Sequence, residues 1–358
     1  MKNLRKVFAV VITLSMILST VAFAAVFSDV TDSAAYAEAI ELGAALNMFT
    51  GYEDGSFKPD GDITRAEFAA IIVRMLGQEA QSSGAAGATK FADVPSTHWA
   101  AGYINIVTNL GIVNGYGDGN YGPEDNVTYE QAVKMCVVAL GYEPAAGGNY
   151  PVGYLTIAQQ RGVTTNVRGT SGVAINRGQV AQMAFNSLDV PLMTQTGFGT
   201  YIEYVVNDGT GNTTRKTLLS ENLDIVKVKA MVEKTFDLSS SKKDSLVQVE
   251  VINAYRSIYG EANEKFEEGR SISIDAGKTN LKSFVGYNVI AYISYNEASD
   301  DDPVALYVRK DIAAADEITI AASDIEEVVS KSTPNHFEIS YMASKDARAP
   351  ERITVDAN

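Results

Sequence analysis

The stretch that decides the fold of the first half of the chain is residues 51–77, GYEDGSFKPDGDITRAEFAAIIVRMLG. It returns about 64 positions later as residues 115–141, GYGDGNYGPEDNVTYEQAVKMCVVALG. A shorter motif precedes each copy, FSDV at 27–30 and FADV at 91–94. A repeat of fixed length indicates that one structural unit was copied and that the copies pack on each other to bury their apolar faces.

A third, weaker copy follows the first two. The segment INRGQVA at 175–181 aligns with ITRAEFA at 63–69. The GYxDG element is missing from this copy and the loop before it is shorter, although a helix is still predicted at 153–162. The chain therefore contains two clear repeats and one degenerate repeat.

Each repeat is predicted to be a helix, a long turn and a second helix. In the first copy, apolar residues at helical spacing predict a helix at 35–46. The loop that follows is rich in Gly, Asp and Pro, which is typical of turns. Thr64 is predicted to cap the second helix, 65–76, with Glu67 completing a capping box. The second copy predicts the same helices at 99–110 and 129–140.

After residue 192 the pattern changes from helical spacing to the alternation of strands. Val247 and Val249, for example, alternate with Gln248 and Glu250. The predicted strands are 201–206, 225–232, 246–252, 271–275, 288–295 and 305–309. We therefore expect an α+β multidomain chain, with a mainly α-helical N-terminal bundle and a mainly antiparallel β domain, a small barrel or a sandwich, at the C-terminus.

The N-terminus has the pattern of a secretory signal peptide. Three basic residues precede an apolar stretch at 7–19, which is shorter than the roughly 20 residues of a membrane span. The small-x-small pattern before Ala24 predicts cleavage after that residue. We expect an exported chain with no membrane span once the signal is removed.

Composition excludes several classes of function. The net charge of −15 repels nucleic acid and anionic lipid. Cys136 is the single cysteine, so no intramolecular disulfide can form, and we expect a buried, inert thiol. His98 and His336 are the only histidines, which leaves few parts for a His-based catalytic triad or a multi-His zinc site. The sequence predicts no metal, no cofactor and no enzyme activity.

The repeated motifs resemble the S-layer homology (SLH) family. The resemblance rests on FSDV, GYEDGSFKPDGDITRAEFAAIIVRMLG, FADVPSTHWA and GIVNGYGDGNYGPEDNVT, and it covers residues 26–192. It implies a compact pseudo-threefold bundle whose grooves between repeats hold secondary cell wall polymer, often through a pyruvylated sugar. The predicted boundaries are a signal peptide at 1–24, repeats at 26–77, 91–142 and 143–192, a linker at 78–90 and a β-rich domain at 195–358.

The resemblance implies that Arg65, in the TRAE motif, is a polymer-binding residue. Arg65 stands at the first turn of a helix, and its planar fork of donors suits a carboxylate. Arg177 occupies the matching place in the third copy. Tyr129 replaces the arginine in the second copy, so that groove is predicted to be weaker or lost. The alternative is that each arginine pairs with a carboxylate and ties the repeats together.

Asp29, Asp93 and Trp99 complete the predicted polymer-binding set. Asp29 and Asp93 are expected to cap the elements that follow them and also to line grooves. Trp99 is expected to anchor its repeat by packing, and its flat face could also stack on a sugar ring.

The predicted function is non-covalent anchoring of a surface protein to the cell wall, as an S-layer component able to self-assemble. An adhesin or carbohydrate-binding protein is the main alternative, and a wall-anchored hydrolase is a weaker one. A porin with one SLH unit fits badly, because the chain has three repeats and a short, polar β half. The sequence ends at Asn358 without an obvious closing element, so we expect a longer natural protein or completion by other chains.

Overall fold

The computed structural model describes residues 27–31, 34–197, 199, 201–211, 213–236, 244–254, 266–295, 301–311, 325–330, 336–342 and 351–356. The signal peptide predicted at 1–24 lies outside the described residues. The chain divides into two compact units. The first comprises the residues up to Arg74, Gln81–Cys136 and Tyr150–Asn186, and the second comprises Met75–Ala80, Val137–Asn149 and Ser187–Asn358.

Within the described residues, each repeat forms a helical hairpin. The first-copy helices are α1 (Ala37–Ala45) and α2 (Arg65–Met75), the second-copy helices are α4 (Ala101–Asn109) and α5 (Tyr129–Ala139), and the third-copy helices are α7 (Val152–Gln160) and α8 (Arg177–Leu188). The predicted helices are confirmed, with ends that differ by no more than about two residues, as is usual for helix ends.

Short helices also form between the hairpins, namely α3 (Glu79–Ala85) and α6 (Glu143–Ala146). Helix α3 lies in the segment that the sequence predicted as a linker. Ser82, Ser83 and Gly84 are weak helix formers, but Asn105 Nδ2 of α4 donates to the main-chain oxygen of Ala85 at 3.0 Å, and this tertiary bond supports the end of the helix. No helix in the described part of the chain is long and apolar enough to cross a bilayer.

The starts of the second helices close the repeats into a ring. Hydrogen bonds of 2.9 Å run from the N–H of Arg65 to the C=O of Asp125, from Tyr129 to Val173, and from Arg177 to Gly61. Each bond joins one repeat to the next, and the last returns from the third repeat to the first. The cyclic order confirms the expected pseudo-threefold bundle, because a rotation that closes on itself produces a ring.

The second helices of the first and third copies begin with reciprocal capping bonds. The N–H of Thr64 donates to Glu67 Oε2 (2.8 Å), and the N–H of Glu67 donates to Thr64 Oγ1 (3.2 Å). The third copy does the same with Asn176 and Gln179, at 3.0 and 2.8 Å. These bonds satisfy helix N–H groups that would otherwise lack partners, and they confirm the predicted capping box at Thr64.

Aromatic packing explains the glycine that opens the repeated loop. The rings of Phe27 and Phe57 pack with centroids 5.2 Å apart. A Cβ atom on Gly51 would lie 2.4 Å from the Phe27 ring, and one on Gly115 would lie 2.4 Å from the Phe91 ring. No side chain fits at either glycine, so the loop can approach the aromatic core only because this position lacks a Cβ.

In the second unit, β3 (Ile225–Thr235), β4 (Leu246–Asn253), β5 (Ser271–Asp275), β6 (Asn288–Ser294) and β7 (Val304–Lys310) form a closed barrel among the described residues. The barrel order is β3-β4-β5-β7-β6, with antiparallel neighbours except for the parallel contact of β5 and β7. Its interior is filled by alternate strand residues such as Val228, Val232, Val247 and Val249. The predicted strands from residue 225 to 309 are confirmed, and so is the α+β class.

Further strands lie outside the barrel. Strand β1 (Met193–Gln195) pairs with β2 (Tyr204–Val206), and β8 (Ile325–Ser330), β9 (His336–Tyr341) and β10 (Glu351–Asp356) pair in the order β10-β9-β8. The sequence predicted a strand from residue 201, three residues before β2 begins. It did not predict β1 or β8 to β10.

Candidate functional site

Arg65 lies nearly buried between the first and second repeats, with 6% of its surface exposed. Its Nε donates to the main-chain oxygen of Tyr121 at 2.8 Å, and its Nη1 donates to Gln131 Oε1 at 3.0 Å. The rings of Tyr116 and Tyr121 lie 4.6 and 4.7 Å from the guanidinium carbon. The cation is thus held by both hydrogen bonds and aromatic faces.

Arg177 repeats this arrangement between the third and first repeats, with 8% exposed. Its Nε donates to the main-chain oxygen of Phe57 at 2.9 Å, and its Nη2 donates to that of Thr50 at 3.1 Å. The rings of Tyr52 and Phe57 lie 4.9 and 4.7 Å from its guanidinium carbon. Its Nη1 lies 3.9 Å from Glu67 Oε1.

Each arginine was predicted either to bind polymer or to tie the repeats together. Arg65 and Arg177 tie adjacent repeats together, mainly through main-chain carbonyls of the neighbouring loop rather than through a carboxylate. Binding of polymer by either residue stays a prediction. Since a guanidinium carries five N–H donors, these internal bonds do not use its full capacity.

Arg177 also lines a cavity of about 180 Å³ to which every repeat contributes. Glu67 and Arg74 come from the first repeat, Trp99 from the second and Arg177 from the third. The cavity therefore brings together two of the predicted binding residues, Arg177 and Trp99. Its ionisable lining consists of two cations and one anion, so it is locally positive in an acidic chain.

Trp99 forms an open aromatic wall of this cavity, with 56% of its surface exposed. Its ring stacks on His98, with centroids 5.9 Å apart, and leans against Tyr103 at 6.1 Å. Arg74 lies 5.6 Å from the Tyr103 ring. A ring held on one side and open on the other can stack on the apolar face of a sugar. His98 is paired with Glu124 at 3.2 Å.

The interface at Tyr129 has a different character. Tyr129 packs so closely on Gly169 that a Cβ there would lie 2.0 Å from the ring. Asn186 donates from Nδ2 to the main-chain oxygens of Val163 and Thr165, at 3.0 and 2.7 Å. Burial raises the pKa of Tyr129, although a hydrogen bond to Thr164 opposes the shift. This interface holds a neutral ring where the others hold a cation.

Asp29 and Asp93 do not cap the helices that follow them, so that prediction is wrong. The N-cap residues of α1 and α4 are Tyr36 and Ala100, and neither receives a side-chain cap bond. The Asp29 carboxylate instead accepts from the N–H groups of Phe57 (2.7 Å) and Lys58 (2.8 Å). The distant loop competes successfully for the carboxylate because it offers two adjacent donors.

Asp93 makes the same contacts in the second copy, with the N–H groups of Tyr121 (2.8 Å) and Gly122 (2.7 Å). Phe57 and Tyr121 are the residues whose carbonyls accept from Arg177 and Arg65. The aspartates therefore position the loops that hold the arginines. Whether they also touch a ligand stays a prediction.

The electrostatics of Asp29 fit this positioning role. Burial by itself would raise the pKa of Asp29, but the N–H groups of Phe57 and Lys58 outweigh that effect and hold the pKa below its ordinary value of 3.8. The carboxylate is thus ionised in the folded protein under neutral conditions and clamps the loop as a charged acceptor.

Sequence reasoning missed Tyr52, Tyr116 and Arg74. The tyrosines follow the repeated glycine in the GY dipeptide of each clear copy, and their recurrence was a usable signal. Arg74 lies near the end of α2, where a basic residue is ordinarily explained by the helix dipole. Its place in the cavity appears only when the three repeats are assembled. Cys136 is buried, as predicted.

Comparison with known proteins agrees with the repeat architecture. The family model described as "S-layer homology domain" matches residues 26–69 and 90–133. The chain is 33% identical to a cell surface protein of Thermoanaerobacter kivui over 297 residues, which are 82% of this chain and 35% of that protein.

Two other relatives have names of the same kind. The chain is 37% identical to a middle cell wall protein of Brevibacillus brevis over 51% of this chain and 16% of that protein. It is 30% identical to a surface layer protein of Brevibacillus choshinensis over 95% of this chain and 32% of that protein. The chain thus spans about a third or less of each of these relatives.

Proposed function

Because residues 26–69 and 90–133 are S-layer homology domains, we propose that the chain anchors an exported surface protein non-covalently to secondary cell wall polymer. Binding takes place in the arginine-lined grooves between repeats. The predicted localisation at the cell wall surface is confirmed by the matched domains together with relatives named for the cell wall and the surface layer.

The cavity at Arg177 is the observation that carries the proposal. It unites Arg177, Arg74 and an open Trp99 ring in one space of about 180 Å³. Wall polymers that carry pyruvylated sugars offer a carboxylate beside a pyranose ring. The guanidinium groups suit the carboxylate, and the indole suits the ring. The net charge of the chain, −15, opposes binding of an anion, so local cations must provide the attraction.

The role of the second unit is proposed more broadly. The relatives named as surface proteins favour a structural part in a surface layer, including self-assembly with other copies. The absence of enzyme activity stays a prediction, and none of the groove residues is assigned a catalytic role.

The proposed function is tested by sedimentation of the mature chain with purified sacculi of its source. One batch of sacculi keeps its secondary polymer, and a second batch has the polymer removed chemically. We expect saturable binding to the first batch and loss of binding to the second. Equal binding to both batches would overturn the assignment of the polymer as ligand.

A further inference from the structure

Among the described residues, the two most exposed large apolar side chains are adjacent in the sequence. Tyr201 is 84% exposed and Ile202 is 62% exposed, and Tyr204 follows with 38%. Tyr201 and Ile202 lie in the loop that joins β1 to β2, and Tyr204 is the first residue of β2. Single apolar residues on a surface need no explanation, but a contiguous group left in water indicates a contact surface.

Hydrogen bonds close this loop on itself while the two side chains stay outside. The main-chain oxygen of Glu203 accepts from the N–H groups of Thr196 (2.8 Å) and Gly197 (3.2 Å). A Cβ on Gly197 would lie 2.3 Å from the main-chain oxygen of Tyr201, so only glycine allows the two sides of the loop to approach this closely. The loop therefore presents Tyr201 and Ile202 to solvent from a closed backbone.

The hairpin is almost free of charge in a strongly acidic chain. Residues 190–207, VPLMTQTGFGTYIEYVVN, contain one charged residue, Glu203. Charged residues make up 20% of the whole chain, so a stretch of this length would otherwise carry about four. The exposed apolar side chains thus coincide with a local lack of charge.

This lack of charge distinguishes between the partners that the hairpin could contact. A basic partner would be recognised by acidic side chains, and the hairpin sequence offers only Glu203. Two copies of this chain, each with a net charge of −15, repel each other over most of their surfaces. Copies can therefore approach closely only where charge is missing, and the hairpin is such a place.

We propose that the β1–β2 hairpin is a contact between copies of this chain. Tyr201, Ile202 and Tyr204 of one copy pack on the same patch of a second copy. Because the two patches are identical, the contact is related by a twofold axis. The inference rests on the proposed structural part in a surface layer, and it adds the surface through which anchored copies meet.

The size of the patch makes this contact weak. One aromatic side chain buries about 150–250 Å², so three partly exposed side chains bury roughly 400 Å² on each partner. Stable complexes bury about 800 Å² on each partner. We therefore expect copies to stay apart in dilute solution and to pair when they are concentrated. Attachment to one surface raises their effective concentration, as a linker between two binding modules does.

The first test measures pairing in solution, without the wall. It compares the full mature chain with the double variant Tyr201→Ser/Ile202→Ser by sedimentation equilibrium at concentrations up to about 1 mM, where a contact of this size becomes measurable. We expect the double variant to pair at least about tenfold more weakly than the parent. The matched control, Ile252→Ser/Tyr287→Ser, removes the same residue types from other exposed places of the second unit (37% and 40%) and should pair like the parent.

Equal pairing by the parent and the double variant would overturn the proposal and would leave the hairpin to a partner other than this chain. The same melting temperature for all three proteins, measured by circular dichroism, shows that the substitutions act on the surface. A loss of pairing in the control that equals the loss in the double variant would also count against the hairpin.

The second test uses native sacculi to separate the contact between copies from the contact with the wall. At low occupancy the parent and the double variant should bind with equal affinity, and near saturation the parent's binding curve should rise more steeply. Weaker binding by the double variant at low occupancy would contradict the proposal, because the hairpin would then contact the wall itself. Failure of the parent to distinguish native from polymer-stripped sacculi would remove the proposed anchoring, while the pairing measured in solution would still decide the role of the hairpin.

Discussion

Arg65 and Arg177 show at the scale of single residues how one side chain can serve both the fold and a ligand. Each guanidinium is nearly buried and bonded to the main chain of the next repeat. Each also lies beside an aromatic ring that is open to solvent. A buried charge is tolerated only when its donors are satisfied. The carbonyls of the neighbouring loop accept from some of the guanidinium N–H groups.

Replacement of Arg65 by alanine should therefore damage both stability and binding. Two hydrogen bonds from a charged donor are lost, and we expect the free energy of unfolding to fall by about 3 kcal/mol. Wall binding should weaken more than in Tyr129→Ala, which removes no cation. Urea unfolding followed by sacculus sedimentation, at a temperature where both variants are folded, measures the two effects. Parental affinity in folded Arg65→Ala would contradict a binding role for Arg65.

Asp29 makes stability depend on pH with a definite sign. Its pKa is lower in the folded chain than the ordinary 3.8, since the N–H groups of Phe57 and Lys58 outweigh burial. The stabilisation is therefore present above pH 3.8 and is lost as the pH falls through the folded pKa. Asp29→Asn should lower the melting temperature at pH 7 and flatten its fall between pH 5 and pH 3. Asp60→Asn, an exposed carboxylate of the same loop, is the control, and an identical pH profile for Asp29→Asn and the parent would rule out the clamp.

At the scale of elements, two glycines of the repeated loop distinguish the stability cost of lost close packing from the cost of an unfavourable backbone conformation. Gly115 and Gly117 both have positive φ, 75° and 88°. A Cβ on Gly115 would lie 2.4 Å from the Phe91 ring, whereas one on Gly117 meets nothing within 4 Å. We expect Gly117→Ala to cost about 1 kcal/mol from the left-handed backbone alone, and Gly115→Ala to cost about 1–3 kcal/mol more. Chemical denaturation measures both, and equal losses would show that the Phe91 contact is not limiting.

Local signals explain why most helices could be predicted and why other elements could not. The second helices were placed correctly because Thr64 and Glu67 mark a helix start within four residues of sequence. Strand alternation and β-branched enrichment predicted the strands between residues 225 and 309. They could not predict barrel closure, since the parallel contact of β5 and β7 joins strands far apart in the chain.

The candidate site was predicted only where local sequence motifs mark its residues. Arg177 lies within the copied segment INRGQVA, and Trp99 comes shortly after the repeated FADV motif. Both residues line the cavity. The capping role of Asp29 was wrong because the competing donors lie 28 and 29 residues away.

At the scale of the whole molecule, the ring of hydrogen bonds makes the repeats mutually dependent. The N–H of Arg65 finds its acceptor in the second repeat, and Gly61 accepts from the third. A fragment of residues 26–77 loses these partners and exposes its apolar faces. We expect it to show weak helical circular dichroism and no cooperative melting, whereas residues 26–192 should melt in a single transition. A sharp transition in the short fragment would contradict a shared core.

Binding of polymer in the groove can be followed at Trp99, the single tryptophan of the chain. Its ring is 56% exposed and lines the Arg177 cavity, so its fluorescence reports on that groove alone. Polymer released from sacculi is titrated into the mature chain while Trp99 emission and its quenching by acrylamide are followed. If polymer binds in the groove, the emission changes saturably, and quenching falls with the same midpoint as binding measured by sedimentation. Polymer that binds without altering Trp99 emission or quenching would show that it does not bind in the Arg177 cavity.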